Sequence, residues 1–133
     1  MTSNPSRPRQ VFLAVQALVW LPYGIFCLAS PGALGQITGF ALTTATAQTE
    51  VRAMYGGLQM ALGLLALLAL RRESLARSLV LVLGVATAAL AFGRLTGVVL
   101  DGGLSGYTIG GLGFEIGTAA WAAWLVRRES LVG

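Results

Sequence analysis

Two charged residues stand where hydrocarbon should exclude them: Arg94 within the apolar stretch 78–100 and Glu115 within 107–126. A charged side chain near the middle of a bilayer costs about 2.5–3.5 kcal/mol on insertion scales, so each needs a partner or a task. At 1.5 Å of rise per helical residue, Arg94 lies about 9 Å below the outer end of its stretch and Glu115 about 12 Å below that of its own. Their depths match, and an ion pair is expected. Glu115 is then the group placed to give or take a proton on a bound molecule, with Arg94 as its electrostatic partner. This makes Glu115 and Arg94 the candidate catalytic pair.

Further polar residues recur at helical spacing and share faces. Arg52, Tyr55, Gln59 and Gly63 follow one another at three- or four-residue steps; Thr87, Arg94 and Asp101 are seven apart; Gly111, Glu115 and Thr118 form a third stripe, and Gln16, Trp20 and Tyr23 a fourth. Four inward stripes predict a cavity in the outer half of a bundle, with Glu50 and Asp101 at its rim. Arg52, Tyr55, Gln59, Asp101, Tyr23 and Gln16 are the candidate ligand-binding residues. Two arginines against one buried carboxylate leave positive charge over, which favours an anionic or polar head. The structural alternative is that Arg94 and Glu115 only latch two helices together, Arg52 and Glu50 pair at the surface, and the tyrosines anchor at the interface.

These stripes need helices that span a membrane, and the chain supplies them. Of 133 residues, 56% are hydrophobic and only 11% charged, against roughly 25% charged in soluble domains. Four apolar stretches, about 11–29, 51–70, 78–100 and 107–126, each approach the roughly 20 residues that cross a 30 Å hydrocarbon layer. The expected fold is an all-α, four-helix transmembrane bundle over 11–126, with short tails at 1–10 and 127–133. Seven of the nine arginines (Arg7, Arg9, Arg71, Arg72, Arg77, Arg127 and Arg128) flank the stretches on one side, while Glu50 and Asp101 mark the other. The positive-inside bias therefore predicts a multi-pass protein of the bacterial inner membrane with both termini cytoplasmic. The first stretch, which contains Pro22 and is long for a secretory signal, is expected to be retained. Between Ser30 and Glu50 a short re-entrant or interfacial turn is expected around 33–42, followed by a polar, Thr-rich link.

Arginines at span ends read as topology and contact with lipid headgroups, so nucleic acid is excluded as a partner. With no His and the single Cys27 inside an apolar run, neither a metal site nor a haem site nor a disulfide framework can be assembled from the usual ligands, and no cofactor is expected.

Gly56-Gly57-Leu58 with Gly63 recurs as Gly110-Gly111-Leu112 with Gly117, and Arg71-Arg72-Glu73-Ser74-Leu75 recurs as Arg127-Arg128-Glu129-Ser130-Leu131. Two motifs in the same order predict two tandem helical hairpins. Glycine pairs at four-residue spacing, Gly93/Gly97, Gly106/Gly110 and Gly113/Gly117, let helices approach closely in lipid. They are expected chiefly to pack the chain on itself and otherwise to offer a face to a second copy.

The segment Glu50-Val51-Arg52-Ala53-Met54-Tyr55-Gly56-Gly57-Leu58, opening a helix after a long outer loop, together with Arg94 and Glu115, resembles a family of small four-helix bacterial membrane proteins of unknown function. That family is loosely similar to the DoxX-like group. The resemblance spans nearly the whole chain and implies the fold without an activity. DoxX-like proteins are associated with redox partners, yet this chain has no thiol pair or His to serve one.

Three functions follow. The first is a site that binds an amphipathic, lipid-like or isoprenoid-like molecule from the outer leaflet, with proton transfer by Glu115. The second is a small proton-coupled exporter, opposed by a carboxylate in the last span and by a charge bias that disfavours an antiparallel dimer. The third is a structural or assembly module.

Overall fold

A computed structural model describes residues 6–132, and among them the secondary structure is entirely helical. Six helices follow in order: α1 (Ser6–Ala29), α2 (Pro31–Thr38), α3 (Ala45–Val51), α4 (Leu58–Arg71), α5 (Glu73–Asp101) and α6 (Gly106–Val132). Residues Arg52–Gly57 join α3 to α4 as a π-helical turn, so α3 and α4 form one continuous rod. Four segments are long and apolar enough to cross a membrane: Arg7–Ala29, Ala45–Arg71, Glu73–Asp101 and Gly106–Leu131. At 26 to 29 residues, the last three exceed the roughly 20 that a hydrocarbon core demands. The protein is an all-α membrane protein.

The chain divides into two compact units, residues up to Phe12 together with Arg72 onward, and Leu13–Arg71. In the first, α5 and α6 form an antiparallel hairpin. Gly102 closes α5 with φ +69, and its N–H donates to Val98 O, the left-handed cap that glycine adopts without a Cβ penalty. Ser105 Oγ then accepts from Thr108 N at 3.2 Å and Thr108 Oγ1 donates to Gly103 O at 2.9 Å, which fixes the start of α6. A close crossing lies farther along, where a Cβ on Gly84 would stand 2.6 Å from that of Ala122. The first turns of α1 belong here: Phe12 meets Trp121 edge to face, with ring centroids 5.3 Å apart.

In the second unit α1 packs on the α3–α4 rod through glycines. A Cβ on Gly24 would lie 2.9 Å from Gly56 O, one on Gly56 would lie 2.9 Å from Leu28 Cα, and one on Gly63 would lie 2.7 Å from Leu21 N. Without side chains the two backbones come close enough for dispersion contacts, the main source of helix association in lipid. Beyond the crossing, Cys27, Leu34 and Val51 form a small core with Tyr23, Leu42 and Tyr55 against it.

Three expectations need correction. The link before the second span is helical from Ala45, because Thr44 caps it by accepting from Ala47 N at 3.1 Å and Thr49 Oγ1 bonds back to Ala45 O. The turn expected at 33–42 is the helix α2, started by Pro31 and closed by Gly39 at φ +81. Among the described residues, the four-residue glycine pairs are not points of close helix approach. Gly93, Gly97, Gly106, Gly110, Gly113 and Gly117 have nothing within 4 Å of an added Cβ, and close approach falls instead to Gly24, Gly56, Gly63 and Gly84.

Candidate functional site

On the α5–α6 hairpin, Arg94 lies seven residues before the end of α5 and Glu115 nine residues after the start of α6. Because the hairpin reverses the chain, the two positions face each other. Arg94 Nη2 donates to Glu115 Oε1 at 2.8 Å, and Nε lies 3.1 Å from Oε2 and 3.3 Å from Oε1. This is the two-pronged geometry in which a planar guanidinium matches a carboxylate.

Two residues on α6 complete the seat. Tyr107, Gly111 and Glu115 recur every four positions and so share one face. The Tyr107 ring lies 5.5 Å from Arg94 Cζ, within the range of cation–π attraction. A Cβ on Gly111 would stand 2.9 Å from Arg94 Cζ and 3.0 Å from Nε, so the guanidinium lies directly against the helix at this glycine and a larger residue would have to displace it. The pair is unequally accessible: the Glu115 side chain is 3% exposed and that of Arg94 is 24% exposed. Glu115 is sequestered and the cation reaches outward from it.

The remaining candidates are distributed between the two units. Asp101, on the same unit as the pair, is exposed at the end of α5, and Thr87 bonds to carbonyls of its own helix. In the second unit Arg52 is exposed and donates through Nη1 to Leu28 O at the end of α1. Tyr55 is half-buried edge-on to Phe40, with centroids 5.7 Å apart. Gln16 is buried and accepts from Trp20 Nε1 at 2.9 Å. Tyr23 packs against the core around Cys27. Gln59 is buried, and its Oε1 has no hydrogen-bond partner among the described residues.

The π turn lies among these residues. Leu58 N–H donates to Ala53 O, five residues back, and the extra residue re-aims the Arg52–Gly57 side chains relative to α4. The stretch that carries Arg52, Tyr55 and Gln59 therefore runs through a π turn and not through uninterrupted α-helix.

Sequence reasoning missed Tyr107 as part of the Arg94 seat, although its distance of eight residues from Glu115 was a usable signal. It also missed a charged network in the first unit. Arg9 pairs with Glu73 and, at 2.7 Å, with Glu129; Arg77 Nε lies 4.0 Å from Glu129 and its Nη2 donates to Ser130 Oγ at 2.8 Å. The signal was present in the Glu-Ser following each Arg-Arg, which a topology reading treats only as flanking charge.

The family described as Domain of unknown function (DUF4345) matches residues 8–126 of the chain. The chain belongs to this family. Neither a curated protein nor a solved structure matches it.

Proposed function

We propose that this DUF4345 member is a bacterial inner-membrane protein, with both termini cytoplasmic, that holds the polar head of an amphipathic, lipid-like or isoprenoid-like molecule at Arg94 and Glu115. The observation that carries this reading is the unequal exposure of the pair, 24% for Arg94 and 3% for Glu115. A latch needs only mutual neutralisation, whereas a guanidinium that stays partly exposed while it is paired can meet an anionic or polar head without first giving up its carboxylate. The glycine at position 111 and the ring of Tyr107 hold the guanidinium in place for that contact. Glu115, screened from solvent, is the group that would pass a proton to or from the bound head, so any turnover would be proton transfer.

The test is to equilibrate the purified protein with a bacterial lipid extract and identify retained small molecules by mass spectrometry. One amphipath retained by the wild type and lost in both Arg94→Gln and Glu115→Gln is the expected result. Equal retention by all three proteins overturns the reading.

A second reading is favoured by the two-pronged bonding itself: three N–O contacts of 3.3 Å or less are enough to neutralise both charges for a purely structural latch. In that case exchanging the two residues restores everything that the single substitutions remove.

A further inference from the structure

The opposite half of the α5–α6 hairpin carries a groove that the pair does not use. Its volume is about 340 Å³, within the roughly 300–1,000 Å³ of small-molecule sites. It is created by the close crossing of Gly84 on Ala122, beside which Ala88, Ala119 and Ala123 leave the helix flanks hollow. From Leu81 to Ala88 the wall runs about 10 Å along α5, and Arg127 closes one end.

The charge at that end is uncompensated. Arg9 and Arg77 are engaged by Glu73, Glu129 and Ser130, and Arg128 stacks on Trp124 at 5.3 Å. Arg127 is exposed and has no ion-pair or hydrogen-bond partner among the described residues. A groove walled by apolar side chains within two candidate spans, closed by an unneutralised guanidinium at the arginine-rich end, is complementary to one chemistry: hydrocarbon joined to an anionic oxygen group. Basic pockets between membrane helices on the cytoplasmic side bind anionic headgroups in this way, and a guanidinium engages phosphate oxygens through two parallel bonds.

We propose that this groove seats one acyl chain of an anionic phospholipid whose phosphate is held by Arg127. The site is separate from the Arg94–Glu115 pair and stands or falls independently of it.

The experiment reconstitutes the full chain in nanodiscs containing equal amounts of phosphatidylglycerol and phosphatidylcholine with identical acyl chains. Lipids that remain bound after transfer to detergent are then counted by native mass spectrometry. The wild type is expected to keep one phosphatidylglycerol in preference to phosphatidylcholine. Arg127→Gln should lower that preference about fivefold, the worth of one basic residue at an anionic surface. Ala123→Leu, which fills the groove from an exposed position, should expel both lipids while helicity by circular dichroism is unchanged. Arg72→Gln, exposed and outside the groove, should leave the preference intact.

Equal loss in Arg72→Gln and Arg127→Gln would mean a diffuse basic surface and would overturn the site. So would displacement of the lipid by millimolar inorganic phosphate, or a dimer that Ala123→Leu converts to monomer without any change in bound lipid.

Discussion

Arg9 and Glu129 lie 120 positions apart in sequence and 2.7 Å apart in space. The same guanidinium also pairs with Glu73. Glu73 and Glu129 occupy the same place in the two Arg-Arg-Glu-Ser-Leu segments, so one arginine from the start of α1 ties the start of α5 to the end of α6. Both carboxylates suit their anchoring roles differently. Glu73 sits in the first turn of α5, where the helix dipole favours a negative charge, while Glu129 is near the end of α6 and depends more on its cation.

Replacing Arg9 by Gln should therefore lower stability by about 1.5–3 kcal/mol, the range for hydrogen bonds to charged groups. Glu129→Gln should cost less, because Arg9 keeps Glu73. Arg9→Lys should recover only part of the loss, since a point charge cannot span two carboxylates as a fork does. Thermal unfolding in detergent micelles measures all three.

The glycines separate into two kinds, and alanine distinguishes them. Gly56→Ala places a Cβ 2.9 Å from Leu28 Cα and should destabilise the second unit by about 1–3 kcal/mol, the usual cost of overpacking. Gly97→Ala meets nothing within 4 Å and should be neutral or stabilising by up to about 1 kcal/mol through helix propensity. Equal effects on the unfolding midpoint would contradict the helix crossing described.

Tyr107 should matter through its ring. Tyr107→Leu removes the cation–π contact with Arg94 and should cost about 0.5–1 kcal/mol, whereas Tyr107→Phe should recover the share owed to the ring. Under the proposed function, Tyr107→Leu also weakens amphipath retention, because the guanidinium loses one of its two supports. The measurements are unfolding midpoints and bound-molecule yields for the two variants.

Orientation is open to labelling, because the single native cysteine, Cys27, is fully buried. A cysteine at the exposed Ser105, in the α5–α6 loop, should react with a membrane-impermeant maleimide in spheroplasts. One at the exposed Ser74, near the start of α5, should react only after lysis. The reverse pattern would place the termini outside.

Much of the fold is legible in the sequence, because a hydrocarbon layer demands long apolar runs and the arginines punctuate them. The Arg94–Glu115 contact is legible for a related reason. In a hairpin of two uninterrupted helices, depth follows from counting residues, and α5 and α6 are each one continuous α-helix. The second unit is less legible, because its irregularities depend on tertiary context. Thr44 reads as part of a polar link until its hydroxyl is seen to cap α3. The π turn at Arg52–Gly57 has no periodicity of its own and interrupts the α-helical spacing between Tyr55 and Gln59. Glycine spacing misled for a simple reason: four-residue intervals permit a close crossing but do not say which face the neighbour occupies. Gly93 and Gly97 have the spacing and no neighbour, while Gly56 and Gly63, seven apart, have one.

The most direct test of the functional account is the charge exchange Arg94→Glu/Glu115→Arg, assayed side by side for unfolding temperature and for retention of the amphipath from lipid extract. The account predicts that the exchanged pair regains most of the stability lost in each single variant and still fails to retain the molecule, because the accessible cation has moved from α5 to α6. Recovery of both stability and retention would contradict it and leave the pair as a latch.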